Sequence, residues 1–134
     1  MKYRILINDS IKVNDRRLFR IQKIGNDELG GYIESESNLS QNGSAWVYGD
    51  AQVYGDALVY GRARVSGDAR VYGDALVYGD AQVSGGALVF GDAQVSGGAL
   101  VFGDAQVSGG ARVSGDARVS KHNECVNITN LKYN

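Results

Sequence analysis

Apolar positions recur in this chain at a fixed interval that fits neither an amphipathic helix nor a simple alternating strand. From Ala45 the order is small, variable, aliphatic, aromatic or Ser, Gly, then usually Asp or Gly, and it returns every six residues without a gap. Alanine stands at Ala45, Ala51, Ala57 and every sixth residue up to Ala117, and valine two places later, from Val47 to Val119. Thirteen such units fill residues 45–122. Offsets of two and six do not line one face of a helix, and each Gly would cost a helix about 1 kcal/mol. An extended reading fits. Ala and Val point to one face, the variable residue and the aromatic or Ser to the other, and Gly with Asp turns a corner. A six-residue side cannot bury its own apolar face. Stacked sides can, so the pattern predicts a solenoid.

The flanks break the pattern in informative ways. Tyr3 to Ile7, Val13, and Leu18 to Ile24 read as strands, with Asn8-Asp9-Ser10 and Asn14-Asp15 as turn signals. This segment is expected to form a hairpin that caps the solenoid, because an open end presents unpaired backbone groups and invites stacking. Gly43 keeps the register of Gly49 but Gln41 occupies a Val place, so residues 27–44 are expected to form an irregular first coil. The expected division is residues 1–44 as cap and first coil, and 45–134 as the repeat body. Beyond His122 the register continues weakly, with Asn123 and Thr129 at Ala places and Cys125 and Leu131 at Val places. Cys125 therefore reads as a small core residue and not a nucleophile.

The Ala and Val series resemble the hexapeptide-repeat family of left-handed parallel β-helices. That family's signature is an aliphatic residue at every sixth position with a small residue two places earlier. The resemblance covers residues 45–122. It implies an all-β fold, a single-stranded left-handed parallel β-helix with three sides, about 18 residues per coil and an N-terminal β cap. The handedness comes from the resemblance; periodicity alone does not set it. The stretch Glu28-Leu29-Gly30-Gly31-Tyr32-Ile33 and the Ala-x-Val-Tyr-Gly-Asp units also resemble small bacterial and prophage repeat proteins, which implies a bacterial or phage setting.

Three sides imply that every third unit stacks on the same face. Tyr54, Tyr72 and Phe90 then form an aromatic ladder on side two. Leu58, Tyr60, Leu76 and Tyr78 form an apolar square on side three, and Trp46 heads side one. Cross-strand aromatic and aliphatic pairs stabilise a sheet by about 0.2–1 kcal/mol each. That accounts for the ladder better than for outward Leu residues. Clustered outward Leu and Tyr also fit a contact surface. The candidate interaction surface is therefore Leu58, Tyr60, Leu76, Tyr78, Tyr54, Tyr72, Phe90 and Trp46. The corners carry acid, with Asp56, Asp74 and Asp92 in one column. Such rows could attract cations. A short Asp after Gly is first a turn residue, and no metal site is expected.

Composition narrows the functional classes. The 134 residues carry a net charge of −1, one Cys and one His. One Cys excludes a disulfide scaffold, and one His excludes a tri-histidine zinc site. Arg64, Arg70, Arg112 and Arg118 fall on all three sides, and residues 45–122 hold eight Asp against five Arg and one Lys. No coherent phosphate track follows, so no nucleic-acid partner is expected. No apolar run approaches the roughly 20 residues that span a bilayer, and no signal-peptide pattern opens the chain; a cytoplasmic protein without a membrane partner is expected. Phosphate-binding Gly motifs are missing, and no cofactor is expected. The resemblance does bring one enzymatic alternative. Many members of that family are acyltransferases with an acyl thioester donor and a His general base near a subunit interface. Here the candidate is His122, and no inserted loop between residues 45 and 122 walls a pocket for it. The preferred expectation is a non-catalytic rigid solenoid that associates with itself or another protein; a hexapeptide-type acyltransferase is the alternative.

Overall fold

The computed structural model describes residues 1–120, together with the backbone of Asn127–Thr129 and Lys132–Tyr133. In all but one unit the strand is two residues long, the variable residue and the Val, as in Gln82–Val83 and Leu88–Val89; Arg112–Ser114 has three. The Gly that follows has a positive φ, for example +65° at Gly85, and turns the chain into the next side. Three turns return it to its start. Gln82 and Val83 pair in parallel with Arg64 and Val65 on one edge and with Leu100 and Val101 on the other. The same 18-residue offset joins Leu58 to Leu76 on side three and Gln52 to Arg70 on side two. The result is a left-handed parallel β-solenoid with three sheets.

The stacking explains the repeat. Each coil donates backbone N–H groups to the next, as from Gln82 to the Ala99 carbonyl (3.0 Å) and from Ser84 to that of Val101 (2.8 Å). The inward Ala and Val side chains of residues 45–119 are all buried in one continuous core. Corner residues follow the same rule. Asp80 N donates to the Gly97 carbonyl at 2.8 Å, and Gly98 N to that of Gly115 at 2.9 Å. The bond belongs to the backbone, so Gly86 and Gly98 replace Asp without interrupting the ladder.

The N-terminal cap is a hairpin of β1 (Tyr3–Val13) and β2 (Arg16–Lys23), turned at Asn14 with φ +55°. Asn8-Asp9-Ser10, expected as a turn, is instead part of a register shift between Leu6 and Ser10 within one continuous strand. The hairpin reaches the solenoid through β3 (Leu29–Ile33), which is antiparallel to β2 and parallel to Gln52–Val53.

The first coil departs from the repeat at one place. Ile33 pairs with Val53 and Leu39 bridges to Val59, an offset of 20 residues. By Ser44, whose N–H donates to the Gly61 carbonyl at 3.1 Å, the chain is back in phase with the repeat. Two extra residues thus lie between Leu39 and Ser44. They put Gln41 at an apparent Val place while Ile33 and Leu39 do the work of Val. Gly31 stands in the Ala position, where a Cβ would lie 2.5 Å from the Ala51 carbonyl oxygen and 2.7 Å from Val47 Cγ1. Gln41 instead holds the start of β1 across the end of the core. Its Oε1 accepts from Lys2 N (2.8 Å) and Tyr3 N (3.2 Å). Buried Asn38 ties the same coil down: Oδ1 accepts from Glu34 N and Ser35 N, while Nδ2 donates to the Gly55 and Ala57 carbonyls.

The far end departs from strict hexads. Arg112–Ser114 pairs with Asn127–Thr129, and Arg118–Val119 with Lys132–Tyr133, offsets of 15 and 14 residues. Ile128 and Tyr133 therefore lie opposite Val113 and Val119, and Thr129 lies opposite Ser114 and not at an Ala place. No Gly follows Gly115 in the chain, so the corner chemistry that sets an 18-residue coil is missing there. His122, Asn123, Cys125 and Leu131 lie outside the described residues.

Candidate interaction surface

The outward residues of the first coils meet two different fates. On side two the rings of Tyr54 and Tyr72 stack at 5.1 Å, and those of Tyr72 and Phe90 at 5.0 Å, each pair within 3° of parallel. Parallel strands set this spacing, because the coil separation of about 4.8 Å is close to the centroid separation of offset-stacked rings. The top of this ladder is not free. Leu18 and Tyr32 pack with Tyr54 in a second apolar cluster, joined by Ile11, Val13 and Tyr72. The hairpin therefore folds down over side two, and Tyr54 is only 7% exposed.

Trp46 is likewise covered. It is 1% exposed, with the Tyr3 ring edge-on at 6.0 Å and Lys23 Nζ over its face at 5.1 Å. These positions correct the expectation that Trp46 and Tyr54 belong to an outer contact surface. Both point away from the solenoid axis, but the cap occupies the space outside them. Arg20 helps to hold it there, with its guanidinium 4.4 Å from the Tyr32 ring centroid, a hydrogen bond to the Tyr32 hydroxyl and an ion pair to Asp9 at 3.3 Å.

Side three keeps its apolar square. Leu58 and Leu76 are cross-strand partners, and the Tyr60 and Tyr78 rings stack at 4.9 Å within 7°. All four are half-buried, and no residue of the cap joins them in an apolar cluster. Burial raises the pKa of the Tyr60 hydroxyl, and Tyr78 adds to the shift. Below the square the column turns polar at Gln94, whose Oε1 accepts from the Tyr78 hydroxyl at 3.4 Å. Tyr72 and Phe90 are half-buried on side two below the hairpin. The remaining uncovered candidates are thus Leu58, Tyr60, Leu76, Tyr78, Phe90 and part of Tyr72. Two features had no weight in the sequence reading. One is the exposed apolar set on the cap, where Ile7 is 73% and Leu29 54% exposed. The other is a shallow depression on side one, lined by Tyr48, Arg64, Ser66 and Gln82. Its only sequence signal was the gap in aromatics below Tyr48.

The acid corners are not equivalent. Arg62 forms a two-point pair with Asp80, Nε to Oδ1 at 2.7 Å and Nη2 to Oδ2 at 3.0 Å. In the neighbouring column Asp74 sits between Asp56 and Asp92. Its pKa lies above the ordinary carboxylate value, through loss of solvent around the carboxylate, then the charges of Asp56 and Asp92, then hydrogen bonds with both. A carboxyl whose pKa is raised on folding contributes stability below its ordinary pKa and loses it as pH rises through the folded value. The charged column therefore opposes folding at neutral pH. Asp74→Asn is expected to melt at a higher temperature than the parent at pH 7, with the difference shrinking in high salt and closing below about pH 4. Thermal melts over that pH range check it; a variant less stable at pH 7 would give the Asp column a binding or capping role instead. Among the described residues no group of three or more His, Cys, Asp or Glu side chains could hold a metal ion. No helix of the described residues is long and apolar enough to cross a membrane.

The sequence was compared with known proteins. No curated protein matches the chain. A family model described as YdcK Beta solenoid repeat matches at residues 51–67, 63–79, 69–85, 81–97, 93–109 and 105–121. Successive matches start 6 or 12 residues apart, in step with the hexads, and together they run unbroken from Ala51 to Lys121, over half the chain. The repeat unit, its corner glycines and its three-sided stacking are those of a β-solenoid, and the chain belongs to the YdcK β-solenoid repeat family.

Proposed function

We propose that the protein is a non-catalytic, rigid β-solenoid that docks a second copy of itself or another protein through side three. The uncovered apolar square carries the reading. Leu58, Tyr60, Leu76 and Tyr78 remain half-exposed, while on side two Tyr54, at the top of the ladder, lies under the protein's own hairpin. A cap that shields one apolar face and leaves the adjacent one open supports a contact role for the open face. In this reading residues 1–44 seal one end, residues 45–134 form the body, and a bacterial or prophage setting accounts for the likeness of the Glu28–Ile33 stretch and the repeat units to such proteins.

Leu76→Arg tests the surface. Leu76 is half-buried and its inward neighbours Ala75 and Val77 carry the core, so the β-type circular dichroism should be unchanged. A guanidinium in the centre of an apolar contact loses several kcal/mol on desolvation, which weakens association by about 100-fold or more. Light scattering on a sizing column, run at several concentrations, should show a multimeric parent and a variant of lower mass. A parent that elutes as one chain and captures no protein through this face sinks the proposal.

A further inference from the structure

We infer that the depression on side one is a binding site for a small planar aromatic carboxylate, seated beneath the Tyr48 ring and held by Arg64. It has a volume of about 320 Å³ and is lined by Tyr48, Arg64, Ser66 and Gln82, residues of three successive coils. An enclosed cavity of about 150 Å³ holds a benzene, so this one has room for a substituted ring although it is open to solvent on one side.

The solenoid itself shows what fits there. Wherever aromatics occupy successive coils their rings stack, at 5.1, 5.0 and 4.9 Å and within 7° of parallel. The column on side one runs Tyr48, Ser66, Ser84, Phe102. Tyr48 is anchored against the core by its own packing, yet among the described residues it stacks on no ring. Two ring positions between Tyr48 and Phe102 are therefore filled by hydroxymethyl groups. A planar ring entering at the Ser66 level would take the place that Tyr72 takes beneath Tyr54. An aliphatic ring lacks the π-face that stacking on Tyr48 uses.

Arg64 supplies the sign of the ligand. Its side chain is exposed at the same rim. The ion pairs of the described residues use Arg4, Arg16, Arg20, Lys23 and Arg62, but not Arg64. A guanidinium presents a planar fork that matches a carboxylate, and the amide of Gln82, the cross-strand neighbour of Arg64 one coil on, adds a donor and an acceptor. Ring stacking sets the plane of the ligand and Arg64 sets its orientation. With one stacked face and one exposed ion pair, affinity on the order of 1 mM is expected.

The test uses the full chain and 2-naphthoate as probe, followed by amide chemical-shift mapping and by near-ultraviolet circular dichroism of the Tyr bands. Saturable shifts confined to the Tyr48, Arg64, Ser66 and Gln82 region are expected. Arg64→Gln should weaken binding about fivefold, the scale of an exposed ion pair. Ser66→Tyr should abolish it by filling the vacant ring position, and this variant extends an existing stacking geometry, so its fold is checked by an unchanged melt. Cyclohexanecarboxylate, with the same charge and no π-face, should bind far more weakly. Shifts that never saturate, binding that survives Ser66→Tyr, or equal binding of the aliphatic acid would each overturn the assignment.

Discussion

Val83→Asp is expected to leave a chain with neither β-type circular dichroism nor a cooperative thermal transition. Val83 is fully buried and lies mid-stack, paired with Val65 above and Val101 below. Removing its side chain forfeits about 1.5–3 kcal/mol of apolar burial. The carboxylate then faces a core of Ala and Val with no donor in reach. An unpaired buried charge costs several kcal/mol more, and protonation reduces that cost only in part. Together these rival the 5–15 kcal/mol that holds a typical domain folded. Local fraying offers no escape, because coils stack on both sides. The neighbouring Gln82→Asp is the control. Its side chain is exposed and points outward, so stability should change by less than about 0.5 kcal/mol. A native melt for Val83→Asp, or loss of fold in Gln82→Asp, would overturn the inward register.

The contrast between those adjacent residues also explains which parts of the structure were legible in the sequence. The core could be read because each Ala and Val repeats one local environment thirteen times over residues 45–122; period alone separates inside from outside. The outer surface could be read only as far as neighbouring coils determine it. Stacking of Tyr60 on Tyr78 follows from the 18-residue offset. Burial of Trp46 and Tyr54 does not, since it depends on where a non-repeating hairpin comes to rest, and no periodicity in residues 1–44 encodes that. The hairpin's contacts are made one at a time, by Tyr3 on Trp46 and by Leu18 on Tyr54.

The first and last coils were obscured for a different reason. Insertion of two residues after Leu39 shifts the apparent phase, so Gln41 fell on a Val place although Leu39 already filled it. Gly31 hid a core position because its role is to be absent: there is no room for a Cβ between Val47 and Ala51. After Gly115 no Gly is supplied, and the pairing offset falls to 15 and 14 residues. Each departure sits at a border of the regular repeat. A solenoid of identical units has no intrinsic limit to its length, and its ends need sequences that break the rule. Gln41 and Asn38 illustrate this: Asn38 Nδ2 donates to the Gly55 and Ala57 carbonyls where a regular coil would place its own backbone N–H groups, and Gln41 Oε1 accepts from the start of β1.

The corner glycines yield the second large effect. Gly91→Ala is expected to destabilise the protein at least twice as much as Gly49→Ala. Both residues have positive φ, +68° at Gly91 and +60° at Gly49, where an L side chain costs about 1–2 kcal/mol. They differ in what a Cβ would meet. At Gly49 the nearest atom is the Gly67 carbonyl oxygen at 3.7 Å, an ordinary contact. At Gly91 the Gly109 nitrogen lies at 2.8 Å and its Cα and oxygen at 3.3 Å. Those are backbone atoms of the next corner, and they cannot swing aside. Asp92 N donates to that same Gly109 carbonyl at 2.9 Å, so any separation of the two coils also stretches a ladder hydrogen bond. The melting temperature should fall by roughly 4–8 °C for Gly49→Ala and by more than about 10 °C for Gly91→Ala. Equal losses would mean that glycine is required only for φ. Unequal losses would give the recurrence of Gly from Gly55 to Gly103 a tertiary cause as well: those corners must be bare because backbone of the next coil lies directly against them.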